Sequence, residues 1–274
     1  MLPIDPRMER IAARLTSAQL RDDDDIGVLD AGNAFVDAYS VAGLKRALDE
    51  YGVVRALADR ALADHDVVID REDAFRHRLR LLLKDGTPIM DLRLHLMDVN
   101  GAALVVVDWL LMQNPRATFS AHKPQLPGQQ HPGTGMGALV QQLLVLLCRR
   151  LGRDALVTTP EHFHLAALYR RAGYLGAAAD DARVKAVTAA GDKAGLSFAA
   201  LAWAVERGFV HDEGGAVFVH EPRELFCPIS EKFRRMLATE EARDAVANVE
   251  FVVDKDGLAA SLAASPVAGL APPA

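Results

Sequence analysis

Hydrophobic and polar residues alternate most regularly between Ile89 and Met97, with Leu92, Leu94 and Leu96 on one side and Asp91, Arg93 and His95 on the other. A period of two marks a strand with one buried face. Phe75 to Leu83 alternates partly, through Leu79, Leu81 and Leu83, and Lys84-Asp85-Gly86-Thr87 joins the two runs as a hairpin turn. Asn100-Gly101 is a second turn signal. The nearly continuous apolar run from Ala102 to Met112 suits the middle of a sheet covered on both faces, and Trp109, on the face opposite Asp108 if the strand is regular, is expected in the core. Asp66-Val67-Val68-Ile69-Asp70 is a further short strand pattern.

Helical spacing frames these strands. Upstream, a short helix is expected around Met8 to Leu20, and Gly27 to Tyr39 is ambiguous between strand and helix. Leu44, Ala47, Leu48, Val53, Val54, Leu57 and Leu62 give two short helices broken at Gly52. Downstream, Leu139, Val140, Leu143, Leu144, Leu146, Leu147 and Leu151 recur as one helix face, Ala155 to Thr158 is a short strand, and Pro160 to Arg171 is a helix ended by Gly173. Two more helices are expected between Asp180 and Arg207. Ala216 to Phe226 and Val249 to Val253 are candidate closing strands, with a helix from Ser230 to Leu237 between them. Asn114 to Gln129 reads as a long loop of the kind that forms lids or binding sites, unless Lys123 to Pro127 prolongs the strand after a bulge.

This order divides the chain into an N-terminal helical segment over 1–70, a strand-rich core over 71–176, a helical insertion with closing strands over 177–258, and a disordered tail over 259–274. Half of the 274 residues are hydrophobic, enough to bury a sizeable core. The net charge of −6 is spread along the chain, with a local acidic run from Asp22 to Asp25 that reads as a solvated loop. No basic stripe points to nucleic acid, and the longest apolar runs are too short to span a bilayer. Cys148 and Cys227 lie far apart, Cys148 within an apolar helix pattern. Without a disulfide framework or a secretory signal pattern, the expected location is the cytoplasm.

Gly133, Gly135 and Gly137 alternate immediately before the long apolar helix. A glycine turn feeding a helix leaves backbone N–H groups at the positive end of the helix dipole, where a phosphate can approach without a Cβ in its way. The spacing Gln130-x-x-Gly133-x-Gly135 resembles the pyrophosphate loop of the Gcn5-related N-acetyltransferases. Ala167-Leu168-Tyr169-Arg170-Arg171-Ala172-Gly173-Tyr174 is similar to a later motif of that family. The likeness covers roughly residues 100 to 176 and implies an α/β (mixed α+β) fold: a central mixed, mostly antiparallel sheet flanked by helices. The long loop and the helices after Asp180 depart from it. Those helices either cover the sheet or form a homodimer contact.

The resemblance implies transfer of an acyl group from acetyl-CoA, or another acyl-CoA, to a small-molecule or peptide amine by direct attack. It gives the pyrophosphate to the backbone of Gln130, His131, Gly133, Thr134, Gly135, Met136 and Gly137, and the pantetheine arm to the strand end at Leu111 and Met112. Tyr169 stands where the family keeps a tyrosine that protonates the departing thiolate. His162 stands where it commonly keeps a cofactor-contacting asparagine.

From the residues themselves, Asp108 interrupts an apolar strand, so its carboxylate must be paired, exposed in a cleft or protonated. It is a candidate catalytic residue, although no general base is identified, and Asp91 and His95 are candidates for the substrate pocket. His122, His131, His162 and His164 offer an alternative metal set, although His-x-His at a helix start should splay its side chains by about 200°. Two further readings follow: a non-catalytic binding or regulatory protein of the same fold, and a histidine-based metal-dependent hydrolase.

Overall fold

The computed structural model describes residues 4–21, 34–71, 76–241 and 249–273. The chain is a mixed α/β protein and divides into two compact units. One consists of residues 2–116 and 133–157; the other gathers residues 117–132 and 158–274. The Asp22 to Asp25 run and most of the ambiguous Gly27 to Tyr39 stretch lie outside the described residues.

The first unit opens with α1 (Pro6–Arg14), α2 (Ser17–Arg21), α3 (Val41–Glu50) and α4 (Val53–Ala58). Asp5 and Ser40 cap α1 and α3 through their side-chain oxygens, and Gly52 at φ +77° separates α3 from α4. The strands are β1 (His65–Arg71), β2 (Arg76–Leu83), β3 (Pro88–Val99) and β4 (Ala102–Met112), followed by α5 (Gly137–Arg150) and β5 (Ala155–Thr158). They lie in the order β1-β2-β3-β4-β5, and β1 to β4 pair antiparallel. Asn100 and Gly101 both take positive φ, +50° and +75°, as a two-residue hairpin turn demands.

Cross-strand partners share a face, so the alternation sorts the sheet. Leu79, Leu81, Met90, Leu92, Leu94, Val105 and Val107 are buried on one face. The other carries ion pairs: Arg80 with Asp70, and Arg78 and Arg93 with Asp91. The expectation that β4 is covered on both faces fails here. Trp109 is 44% exposed instead of lying in the core, because the strand is not regular. Between Arg93 and Leu94 the partner on β4 jumps from Trp109 to Val107, leaving Asp108 as the extra residue of a bulge.

The second unit holds α6 (Phe163–Arg171), α7 (Ala178–Lys193), α8 (Phe198–Glu206), β6 (Val210–Asp212), β7 (Leu225–Pro228), α9 (Glu231–Glu241), β8 (Phe251–Val253) and α10 (Lys255–Ala264). Its core gathers Phe163, Val187, Leu201, Phe218, Phe251, Leu258 and Leu262. The two helices expected between Asp180 and Arg207 are present. The closing strands differ from expectation. Most of Ala216 to Phe226 is irregular, and β8 pairs antiparallel with β6 in a separate two-stranded sheet.

The expected disordered tail is also corrected. Leu258, Leu262 and Val267 supply an apolar stripe that packs into this core, and Asp254 caps α10. The loop over 117–132 contains no strand, which removes the alternative that Lys123 to Pro127 prolongs the sheet; Ser120 and Lys123 make only an isolated bridge. This segment is pinned: Trp203 Nε1 donates to the Gln125 carbonyl at 2.8 Å, and Gln125 N–H donates to Ala268 at 2.9 Å.

Candidate functional site

In the first unit the glycine turn leads into α5 as the alternation of glycines suggested. Gly135 sits at φ +72°, where a side chain would be strained. Gly135, Gly137 and Ala138 are exposed, while Thr134 and Met136 are buried and anchor the turn. Met136 is the N-cap and offers no side-chain hydrogen bond to the first turn of α5. The first amides of the helix therefore face outward at the positive end of its dipole.

A cation stands beside them. Arg60 Nε donates to the Thr134 carbonyl at 2.5 Å, its NH1 donates to the Ala56 carbonyl at 2.6 Å, and its NH2 lies 3.9 Å from where a Cβ on Gly135 would be. Among the described residues no carboxylate pairs with this guanidinium. Asn114, buried just beyond β4, donates from Nδ2 to the Arg60 carbonyl at 3.2 Å. The exits of β4 and α4 and the glycine turn are thus tied into one hydrogen-bonded group. Neither Arg60 nor Asn114 is legible from the sequence as a site residue, since each is brought to the turn only by the fold.

Leu111 and Met112 close β4. Met112 pairs with Met90 and lines an apolar cavity shared with Thr134 and Met136, whereas Leu111 pairs with Asp91 and belongs to the opposite face. β5 is four residues long beside the eleven of β4, and it starts near Ala103, where Asp154 Oδ2 accepts from the Ala103 N–H at 2.9 Å. It cannot accompany β4 to Met112.

The acids on this sheet take different roles. Burial opposes charge on Asp91, but hydrogen bonds from Arg78 and then Arg93 outweigh it and hold the carboxyl below its usual range. Arg78 reaches both oxygens, at 2.9 and 2.6 Å. Asp91 is therefore engaged in the sheet's own ion pairs. Asp108, set off by the bulge, places Oδ2 at 2.9 Å from Nδ1 of His95, and both side chains remain partly exposed.

The remaining candidates, Gln130, His131, His162 and Tyr169, fall in the second unit. Gln130 is exposed and His131 half-buried. The Tyr169 phenol is pushed above its ordinary pKa by burial, against an opposing hydrogen bond with Thr158, and its ring lies 5.0 Å from that of Tyr174. His162 is the extended N-cap of α6 and caps nothing with its side chain. Its Nδ1 lies 3.3 Å from Glu206 Oε2, and its ring stacks on His164 at 5.4 Å and 19°.

The expected splay is corrected here, because His162 precedes the helix and does not follow its 100° step. His164 is buried, its Nδ1 has no partner, and burial, then the neighbouring His162 and His220, push it down to about 4. Among the described residues no group of three or more His, Cys, Asp or Glu is arranged to hold a metal ion. No helix among them is long and apolar enough to cross a membrane. A scan against protein-family models matches none of them, and a search of curated proteins finds no match.

Proposed function

We propose that this chain is an acyltransferase on a fold of the Gcn5-related N-acetyltransferase kind, moving the acyl group of acetyl-CoA or another acyl-CoA to an amine. The observation that carries the reading is the anion cradle in the first unit: the exposed, uncapped start of α5, the left-handed Gly135, and the Arg60 guanidinium bonded, among the described residues, to carbonyls alone. A pyrophosphate there would meet backbone N–H groups and a fixed cation together. The pantetheine arm would run along the end of β4, at Leu111 and Met112, which β5 does not accompany.

In the reaction the amine attacks the thioester carbonyl carbon, loses a proton, and the C–S bond breaks to release CoA. His95, held by Asp108, is the base in this reading, with the carboxylate fixing the ring as its Nε2 takes the proton from nitrogen. For Tyr169, in the second unit, the resemblance alone implies the role of the phenol that protonates the departing thiolate. Its raised pKa keeps that proton in place at neutral pH. The acceptor is a small-molecule or peptide amine.

A second reading, a binding or regulatory protein that retains the cradle without catalysis, is favoured by one observation. His162, at the position of a cofactor-contacting asparagine, is engaged by Glu206 and His164. Calorimetric titration with CoA and acetyl-CoA, repeated on Gly135→Asp, tests the cradle, and turnover of acetyl-CoA with an amine panel separates the two readings. Micromolar binding lost in Gly135→Asp supports the donor site. Absence of binding to both ligands removes it.

A further inference from the structure

The lining of the apolar cavity in the first unit follows α5 from Met136 at its start to Arg150 at its end, roughly 20 Å at the rise of a helix. The opposite wall comes from the buried sheet face and from α3. Its volume is about 110 Å³. The polar groups on the wall are few: Arg150, Tyr39, Tyr51 and Thr134 among mostly apolar side chains. Arg150 NH2 donates to the Ala12 and Leu15 carbonyls, both at 2.8 Å, and Thr134 Oγ1 accepts from the Met136 N–H at 3.3 Å. A water needs two to four polar partners, so most of such a space suits hydrocarbon better than water.

One end of the lining is formed by Met112, Thr134 and Met136, which belong to the end of β4 and to the glycine turn. We propose that this cavity is the binding site for a linear apolar chain, and that the chain is the acyl group of the donor. The proposal deepens the acyl-transfer reading and rests on it for the thioester head, which the cradle and the end of β4 would hold at that end. A dry cavity of roughly 150 Å³ admits benzene, so about 110 Å³ accommodates a shorter chain, of about four carbons. The flexible Met90, Met112 and Met136 side chains allow some adjustment around it.

The test titrates the full chain with CoA, acetyl-CoA and butanoyl-CoA, and follows the Tm with 1-butanol, which has the chain and no CoA. Leu144→Phe fills the cavity from α5, and Ala47→Leu does so from α3, in case one replacement impairs folding. The expected result is butanoyl-CoA at least tenfold tighter than acetyl-CoA, with that advantage lost in either variant and CoA binding unchanged. Equal affinity for acetyl- and butanoyl-CoA overturns the chain site and leaves the donor reading standing. If no CoA species binds but 1-butanol raises the Tm of the unsubstituted chain and not of the filled variants, the chain site stands and the donor reading falls. No effect of butanol and no preference for butanoyl-CoA overturns the proposal outright.

Discussion

Nδ1 of His95 lies 2.9 Å from Oδ2 of Asp108, and the contact exists because β4 carries one more residue than β3 at the bulge. In a regular strand, Asp108 would have been paired into the ladder. The extra residue re-aims it toward the imidazole and exposes Trp109 beside it. On the proposed mechanism, Asp108→Asn leaves acyl-CoA affinity unchanged and lowers kcat by about a hundredfold, the low end of a general-base contribution. Stopped-time assays of CoA release with calorimetry on the same samples check both halves; an unchanged kcat removes the pair from the chemistry.

Arg60 tests the cradle from the other direction. Arg60→Gln removes the cation while keeping a hydrogen-bond donor, and CoA should bind about tenfold more weakly, equivalent to about 1.4 kcal/mol. Dephospho-CoA, which lacks the 3′-phosphate but keeps the pyrophosphate, should lose a similar factor. A loss confined to CoA would assign Arg60 to the other phosphate.

Tyr169→Phe should reduce kcat by tens-fold or more with little change in acyl-CoA binding. Burial raises the phenol's pKa, so its proton is retained below that raised value and lost only above it. The alkaline limb of the rate profile assigned to this group should therefore lie above about pH 10, the ordinary tyrosine value. A kcat that Tyr169→Phe leaves untouched refutes its role as the acid.

His164 predicts an acid-side loss of stability. Its folded pKa, about 4, lies below the ordinary 6.5 because burial disfavours the charged ring. The unfolded chain binds the extra proton first, so stability is full above about pH 6.5 and falls as the pH drops toward 4. The shift amounts to on the order of 3 kcal/mol. Urea denaturation between pH 7 and pH 4 should show that loss, and His164→Leu should flatten it.

Asp91→Ala should destabilise the chain by about 3 kcal/mol, because it removes a buried carboxylate that is shared by Arg78 and Arg93. Chemical denaturation measures this directly. A change below about 0.5 kcal/mol would place Asp91 among exposed pairs of little weight.

Much of the architecture is written in local pattern. The alternation through Leu92, Leu94 and Leu96 specifies which face of β3 is buried, since a one-residue slip would turn every leucine to solvent. Turn chemistry at Asn100-Gly101 and the glycines before α5 likewise act within a few residues, so they are legible where they stand. The tail misled because its composition is poor in large residues, yet Leu258, Leu262 and Val267 suffice once the second unit offers Phe218 and Phe251 to pack against.

The site was legible only in part for the same reason. The strand and helix periods, the hairpin turns and the glycine entry to α5 can be read along the chain, because all of them depend on near neighbours. That Arg60 stands beside Thr134, that Asp108 bulges toward His95, and that α5, α3 and the sheet leave an apolar space between them follows from the packing of distant elements. Those relationships join residues from 13 to 74 positions apart. Hydrogen bonds and packing over such separations are set by how the elements meet, and no local pattern encodes that.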